Sequence, residues 1–328
     1  MPESFTITPR GPFSLAEAAT FGFGQRDAAA WDEVMRLAFC LDGYRQQAGV
    51  EVRQDAAGVH GTVDAPPGTD TGAVARQVAR VLSLDHDATD FLRAGQRDPV
   101  IGALQRAAPG LRPPLFYSPY EAAAWAVLSS RRPARQMMAV RERLSHAHGT
   151  VFDLAGQRLA ALPTPEQLLR VGSFPGIAPD RMDRLHGVAR AAQEDRLDVA
   201  LLTGLGPEAA MARMREIPGI GPFYSALIVI RGTGFTDVLP ESEPRLLALA
   251  EQLYQPGVPV TPERLRALAE PWRPFRTWAA VLIRAAARRV LGGEPAQSRT
   301  NPPGAGCRIE GTVAAGAAAP RRARTVLS

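Results

Sequence analysis

The ten residues Ile217 to Ala226, IPGIGPFYSA, constrain what this chain can fold into more than any other stretch. A proline followed by two glycines two apart separates a charged amphipathic run ending at Glu216 from an apolar run between Ala226 and Arg231. This is the punctuation of a tight hairpin joining two helices. In such a hairpin the second helix starts with backbone N–H groups pointing outward, and glycine lets an anion approach with no Cβ in its path. An ordinary helix–helix turn carries the same punctuation, so the decapeptide alone leaves both readings open.

The surrounding pattern is mixed first and helical afterwards. FTITPRGPFSL and the alternation in GVEVRQ and GVHGTVDA read as strands, with turn signals at Gly58 and at Pro66, Pro67 and Gly68. Ala28 to Phe39 and Thr71 to Leu84 carry helical spacing, through Val34, Leu37 and Ala38 and through Val74, Val78, Val81 and Leu82. An α+β domain with an antiparallel sheet is expected over residues 1–87. From Ala88 the spacing predicts helices over Asp90 to Ala107, Pro119 to Ser129, Ala134 to His146, Thr164 to Val171, Pro179 to Asp195 and Pro207 to Glu216. It continues so over Pro222 to Arg231, Pro244 to Tyr254, Thr261 to Leu268 and Trp278 to Leu291. Proline near the start of many of these suits the first helical turn. An all-α body over 88–292 follows, and the Gly-, Ala-, Pro- and Arg-rich segment 293–328 is expected to be a disordered basic tail.

Composition removes several chemistries. A chain of 328 residues, 45% hydrophobic and 22% charged, can build two or three cores unaided. Cys40 and Cys307 are too few and too far apart for a disulfide framework, a cysteine zinc site or a four-cysteine cluster, which suits a reducing cytoplasm. No apolar run reaches membrane-spanning length, and the first residues lack a basic segment followed by a hydrophobic one. The net charge is +5, of which +3 lies in the tail, where five arginines face two glutamates. The remainder is mildly basic, which permits phosphate binding without demonstrating it. All 38 basic residues are arginine, so side-chain amine chemistry is excluded.

Several segments in order resemble the helix-hairpin-helix DNA glycosylases, specifically the 3-methyladenine DNA glycosylase II (AlkA-like) family. FTITPRGPFSL looks like its first strand, LSLDHDATDFLRAGQRDPVIGALQRAAPGLRPP like its crossing from sheet to helices, and SPYEAAAWAVLSSRR like the helix leading to its lesion-probing turn. PTPEQLL, PDRMDRLHGVARAAQEDRLD, the hairpin IPGIGPFYSALIVIRG, DVLPESEPRL and EPWRPFRTWAAVLIR complete a match over residues 5 to 292. The resemblance implies a TBP-like half domain with an antiparallel sheet, then a helix-hairpin-helix body with a cleft. It implies a monomeric enzyme of the bacterial cytoplasm, at the nucleoid, that binds double-stranded DNA, flips out an alkylated nucleotide and hydrolyses its N-glycosidic bond. On the matching positions, the amides of Gly219, Gly221 and Tyr224 hold a phosphate. The carbonyls of Arg215, Ile217 and Ile220 bind a structural Na+ or K+, with no other cofactor.

Loss of a purine builds positive charge on the sugar, which a carboxylate beneath the ring stabilises. The family places an aspartate three residues after a proline; here the proline is Pro240 and the third residue on is Glu243. The added methylene leaves three outcomes: retained activity with refitted geometry, a changed substrate, or a non-catalytic damage-binding protein. Pro244 sets a first helical turn, so Glu243 is expected near the N-cap, where the helix dipole favours an anion. A plain capping role and the neighbours Asp237 and Glu241 are the alternatives. Phe223 stands where lyase-competent relatives carry a Schiff-base lysine, so a monofunctional glycosylase is expected. Phe223, Trp272 and Phe275 fall at or beside base-pocket positions of the family, with Tyr120, Trp125 and Trp278 as neighbours; helical spacing alone reads Trp125 and Trp278 as core. His146 and His148 read as a solvated helix end. Where relatives place a residue that fills the gap left by the flipped base, this chain has Ser130 and Arg131. Arg131 either plugs the stack or, with Arg132, contacts phosphate.

Overall fold

The computed structural model describes residues 3–21 and 31–292. The helix expected from Ala28 lies in part outside that range, as does the whole 293–328 tail. Strands β1 (Glu3–Ile7), β2 (Met35–Cys40), β3 (Gln47–Gln54) and β4 (Val59–Asp64) form an antiparallel sheet in the order β1-β4-β3-β2, and α1 (Leu15–Phe21) follows β1. Its central register pairs Val50 with Val63 and Val52 with Gly61. Helix α2 (Thr71–Val81) presents Val74, Val78 and Val81 to Leu37, Phe39, Val50 and Val52 of one sheet face. Each such side chain contributes about 1.5–3 kcal/mol by leaving water.

The helical spacing of Val34, Leu37 and Ala38 proves misleading, because residues 35–40 are strand. Leu37 and Phe39 face α2, while Ala38 faces Phe152, Leu154 and Ala161 on the opposite side, so both faces are apolar and the period-two signal is erased. The predicted helix Asp90 to Ala107 is two helices, α3 (Ala88–Arg97) and α4 (Pro99–Ala107). Asp98 breaks it by accepting from the amides of Val100 and Ile101, with Pro99 in the first turn of the second helix.

The body continues with α5 (Pro119–Ser129) and α6 (Ala134–His148), then an unexpected hairpin of β5 (Val151–Leu154) and β6 (Gln157–Ala160). The ring of Phe152 packs where a Cβ on Gly49 would stand, which seats this hairpin on the first sheet. Next come α7 (Pro165–Leu169), α8 (Pro179–Gln193), α9 (Val199–Leu205), α10 (Pro207–Arg215) and α11 (Pro222–Thr233). Then α12 (Pro244–Tyr254), α13 (Pro262–Leu268), a 3-10 turn at Glu270–Trp272 and α14 (Arg276–Val290) complete the described chain. One apolar cluster fills the space among α5, α6, α8, α10 and α11, and a second that among α3, α4, α12 and α14.

Buried polar contacts tie sheet to body. Glu121 of α5 accepts from the Cys40 amide (3.1 Å) and from Arg141 Nη2 (2.6 Å), and Gln77 donates to the carbonyls of Cys40 and Tyr117. Arg112, fully buried, donates to the carbonyls of Arg10, Gly11, Pro12, Ser83 and His86. With its donors spent in this way its charge is spread over five peptide dipoles.

Candidate nucleic-acid interface and active-site cleft

The Ile217–Ala226 stretch is a helix-joining hairpin. Ile220 N–H donates to Ile217 C=O (3.1 Å) across Pro218 and Gly219, and Gly219 has φ +92°. Proline followed by a residue of positive φ defines a type II turn, which favours glycine at that position. Gly221 caps α11 with no side-chain acceptor, so the first-turn amides face outward from an exposed surface that includes Pro218, Gly219, Gly221 and Phe223. A Cβ on Gly219 would stand 2.9 Å from Arg184 Cδ, which shows how closely the Arg184 stem lies over the turn.

Facing this hairpin across an open cleft of about 650 Å³ is the C-terminal end of α5, and the cleft is lined by Ser130, Arg131, Arg181, Arg184, Arg215 and residues 217–221. Ser130 (φ −55°, ψ 119°) and Arg131 (φ +55°) form a second type II turn, closed by the Arg132 amide donating to Ser129 C=O at 3.1 Å. Arginine at positive φ costs roughly 1–2 kcal/mol over an ordinary backbone position. The strained residue is exposed and lines the cleft. The Tyr224 hydroxyl sits 3.4 Å from Ser129 Oγ, joining α11 to the end of α5.

Glu243 is the N-cap of α12, as its position before Pro244 implied. Its Oε2 accepts from the Leu246 amide at 2.9 Å and lies 3.8 Å from Arg284 Nε, and the residue is 9% exposed. Helix dipole and guanidinium both favour the anion. The loop before it is fixed to the start of α14: Thr277 Oγ1 accepts from the Val238 amide and donates to the Val238 carbonyl, and Thr277 N–H donates to Thr236 C=O. Asp237 is held by Arg276 Nε (2.8 Å) and Arg273 Nη1 (2.9 Å), and Glu241 by Arg266 at the surface. Those two carboxylates are therefore engaged as structural ion pairs.

The aromatic residues divide differently from the expected pocket. Trp272 is 0% exposed and donates through Nε1 to Asp98 (2.8 Å), so it is core. Phe275 packs between Phe91 and Trp278, and Tyr120, also 0% exposed, packs with its ring tilted against Tyr44 and its hydroxyl donating to Pro163 C=O. None of these three faces is open to a base. Trp125 is half-buried against the first helical cluster, whereas Phe223 is 38% exposed at the hairpin with its ring edge-on to Tyr224. His148 packs edge-on to Phe174 at the end of α6. Arg181, Arg184 and Arg284 were not singled out from the sequence, and Arg215 was singled out only for its main-chain carbonyl. Arg181 carried a signal, since an arginine in a first helical turn opposes the dipole and needs another partner.

No family model matches the chain. It is 29% identical over 201 residues to the Mycobacterium tuberculosis protein named probable bifunctional transcriptional activator/DNA repair enzyme AlkA, a match over 61% of this chain and 40% of that one. It is 28% identical over 188 residues to Escherichia coli DNA-3-methyladenine glycosylase 2, over 56% of this chain and 63% of that one. Among solved structures, the 3-methyladenine DNA glycosylase of Archaeoglobus fulgidus superposes with a TM-score of 0.69 at 18% identity, covering 87% of this chain and 98% of that one. The Clostridium acetobutylicum 8-oxoguanine glycosylase/lyase with double-stranded DNA gives 0.61 at 15%, covering 88% and 98%. The fold is thus that of the helix-hairpin-helix glycosylases. In sequence the chain is similar to these AlkA-like relatives, and it spans 40% to 63% of their length. Among the described residues, no helix is long and apolar enough to cross a membrane.

Proposed function

We propose that the protein is a monofunctional DNA glycosylase that releases alkylated purines, of the 3-methyladenine type, from duplex DNA. The observation that carries this reading is the pairing of an outward-facing hairpin with a strained, arginine-bearing turn across one cleft. The amides near Gly219, Gly221 and Tyr224 suit a phosphate, and Arg184 and Arg215 add charge that would make the affinity salt-dependent. Arg131 suits the gap left by an everted nucleotide, with Ser130 beside it and Arg132 on the flanking strand. The neutral donor set of the Arg215, Ile217 and Ile220 carbonyls fits a monovalent cation better than a divalent one. Among the described residues no cluster of His, Cys, Asp or Glu offers a competing metal site.

Glu243 supplies the anion that stabilises positive charge on the sugar or orients water. An alkylated purine is already a good leaving group, so no general acid is required. Phe223 at the Schiff-base position, in a chain without lysine, argues for hydrolysis without strand cleavage. Incubation with alkylated duplex is expected to leave alkali-labile but uncut strands and no covalent adduct after borohydride. A high-yield protein–DNA adduct would overturn the monofunctional assignment.

A further inference from the structure

We infer that Arg181 is a positioning residue that holds the Ser129–Arg132 turn in the shape that presents Arg131 to DNA. The last carbonyls of α5 have no intrahelical amide to accept from. The Ser130 amide serves Ala126 C=O and the Arg132 amide serves Ser129 C=O. The three remaining carbonyls converge on one guanidinium: Arg181 Nη1 donates to Val127 C=O (2.5 Å) and Leu128 C=O (2.7 Å), and Nη2 to Ser130 C=O (3.1 Å). Val127 and Leu128 are 2% and 0% exposed, so their carbonyls depend on this arginine rather than on bulk water.

The arrangement has a cost that a purely structural cap would avoid. Arg181 is in the first turn of α8, at the positive end of that helix, and shares the cleft with Arg131 and Arg184. Burial, with Arg132 and Arg184 close by, lowers its pKa. Its planar fork reaches three oxygens at once, which a lysine ammonium on a flexible stem does not reproduce. The positive charge also lies against the negative end of α5, and the Ser130 contact reaches into the turn itself. Arg181 thereby compensates the strain of Arg131 at φ +55° and fixes where that side chain leaves the backbone.

This inference rests on the base-flipping reading, and its test separates the two. Excision of one alkylated base is measured in a paired duplex and in a single strand, where no gap has to be filled. Arg181→Met is expected to lower kcat/KM on the duplex about 100-fold, the scale of a roughly 1 Å misplacement. On the single strand the loss should stay below about threefold, which also reports a folded variant, and Arg181→Lys should fall between. In an Arg131→Gly background, where the turn is unstrained and has no side chain to aim, Arg181→Met should add less than about threefold. Equal losses on the two substrates, or full additivity with Arg131→Gly, would reduce Arg181 to a structural cap. Wild-type duplex excision unaltered in Arg181→Met would also overturn the inference. A wild type that excises from neither substrate would remove the glycosylase reading and this inference together.

Discussion

Glu243→Gln lowers base release from alkylated duplex by about 100- to 1000-fold, the range found when one group that stabilises transition-state charge is removed. Binding to the same duplex stays near wild type. The reason lies in what the amide keeps and what it loses. A glutamine oxygen can still accept from the Leu246 amide, so α12 keeps its cap and stability should change by less than about 1 kcal/mol. The negative charge, which the α12 dipole and Arg284 at 3.8 Å both favour, is gone. Single-turnover excision and fluorescence-anisotropy binding on one duplex give both numbers. Equal excision rates for the variant and wild type would remove Glu243 from the mechanism. A parallel loss of binding would assign it to the scaffold.

The second large effect concerns stability. The Glu121 and Arg141 side chains are 0% and 4% exposed and meet at 2.6 Å beneath the helix that carries the Arg131 turn. At pH 8, where Glu121 is ionised, Glu121→Ala leaves the guanidinium buried without its counter-charge, which costs about 3–5 kcal/mol and should lower the melting temperature by about 10 °C. Glu121→Leu with Arg141→Met, a pair of similar volume without charge, should recover part of the loss, the Cys40 amide remaining without its acceptor. If the double variant melts no higher than the single one, the pair contributes net stability and the argument from desolvation is wrong.

The same pair sets a pH dependence of definite sign. Burial pushes the Glu121 carboxyl from 4.5 up to about 7, more than Arg141 pulls it down. The folded state therefore binds a proton that the unfolded chain releases between those values. Its stabilising contribution is fully present below about pH 4.5 and is lost as pH rises through about 7. The depressed surface aspartates act with the opposite sign at lower pH: Asp32, held by Arg36, titrates near 2 when folded and 3.8 when unfolded. Denaturation midpoints at pH 5.5 and pH 8 should thus converge in the double variant relative to wild type.

The sequence disclosed elements wherever local chemistry decides the backbone. The hairpin between α10 and α11, the α12 boundaries at Pro244 and Tyr254, and the N-cap position of Glu243 were legible because Pro, Gly and a capping acid act on their immediate neighbours. Strand β2 was not, since its two buried faces carry no alternation. The β5–β6 hairpin was hidden for a related reason: its turn places Ala155 (φ +46°) and Gly156 (φ +76°) where Asn-Gly or Asp-Gly is the recognisable signal, between strands of four residues. The candidate cleft was half legible. Arg131, Ser130 and the hairpin glycines do line one surface, but aromatic identity could not separate a base-stacking face from core, and Trp272, Phe275 and Tyr120 went inside. Arg181 depends on carbonyls more than fifty residues away, a relation that only the folded chain exhibits.

The most direct test of the account is chromatography of what wild-type protein releases from methylated duplex DNA under enzyme excess. Free 3-methyladenine, appearing with an equal amount of abasic sites and dependent on Glu243, is the predicted result. Duplex that is bound but keeps every alkylated base would contradict it, leaving a protein that recognises damage without removing it.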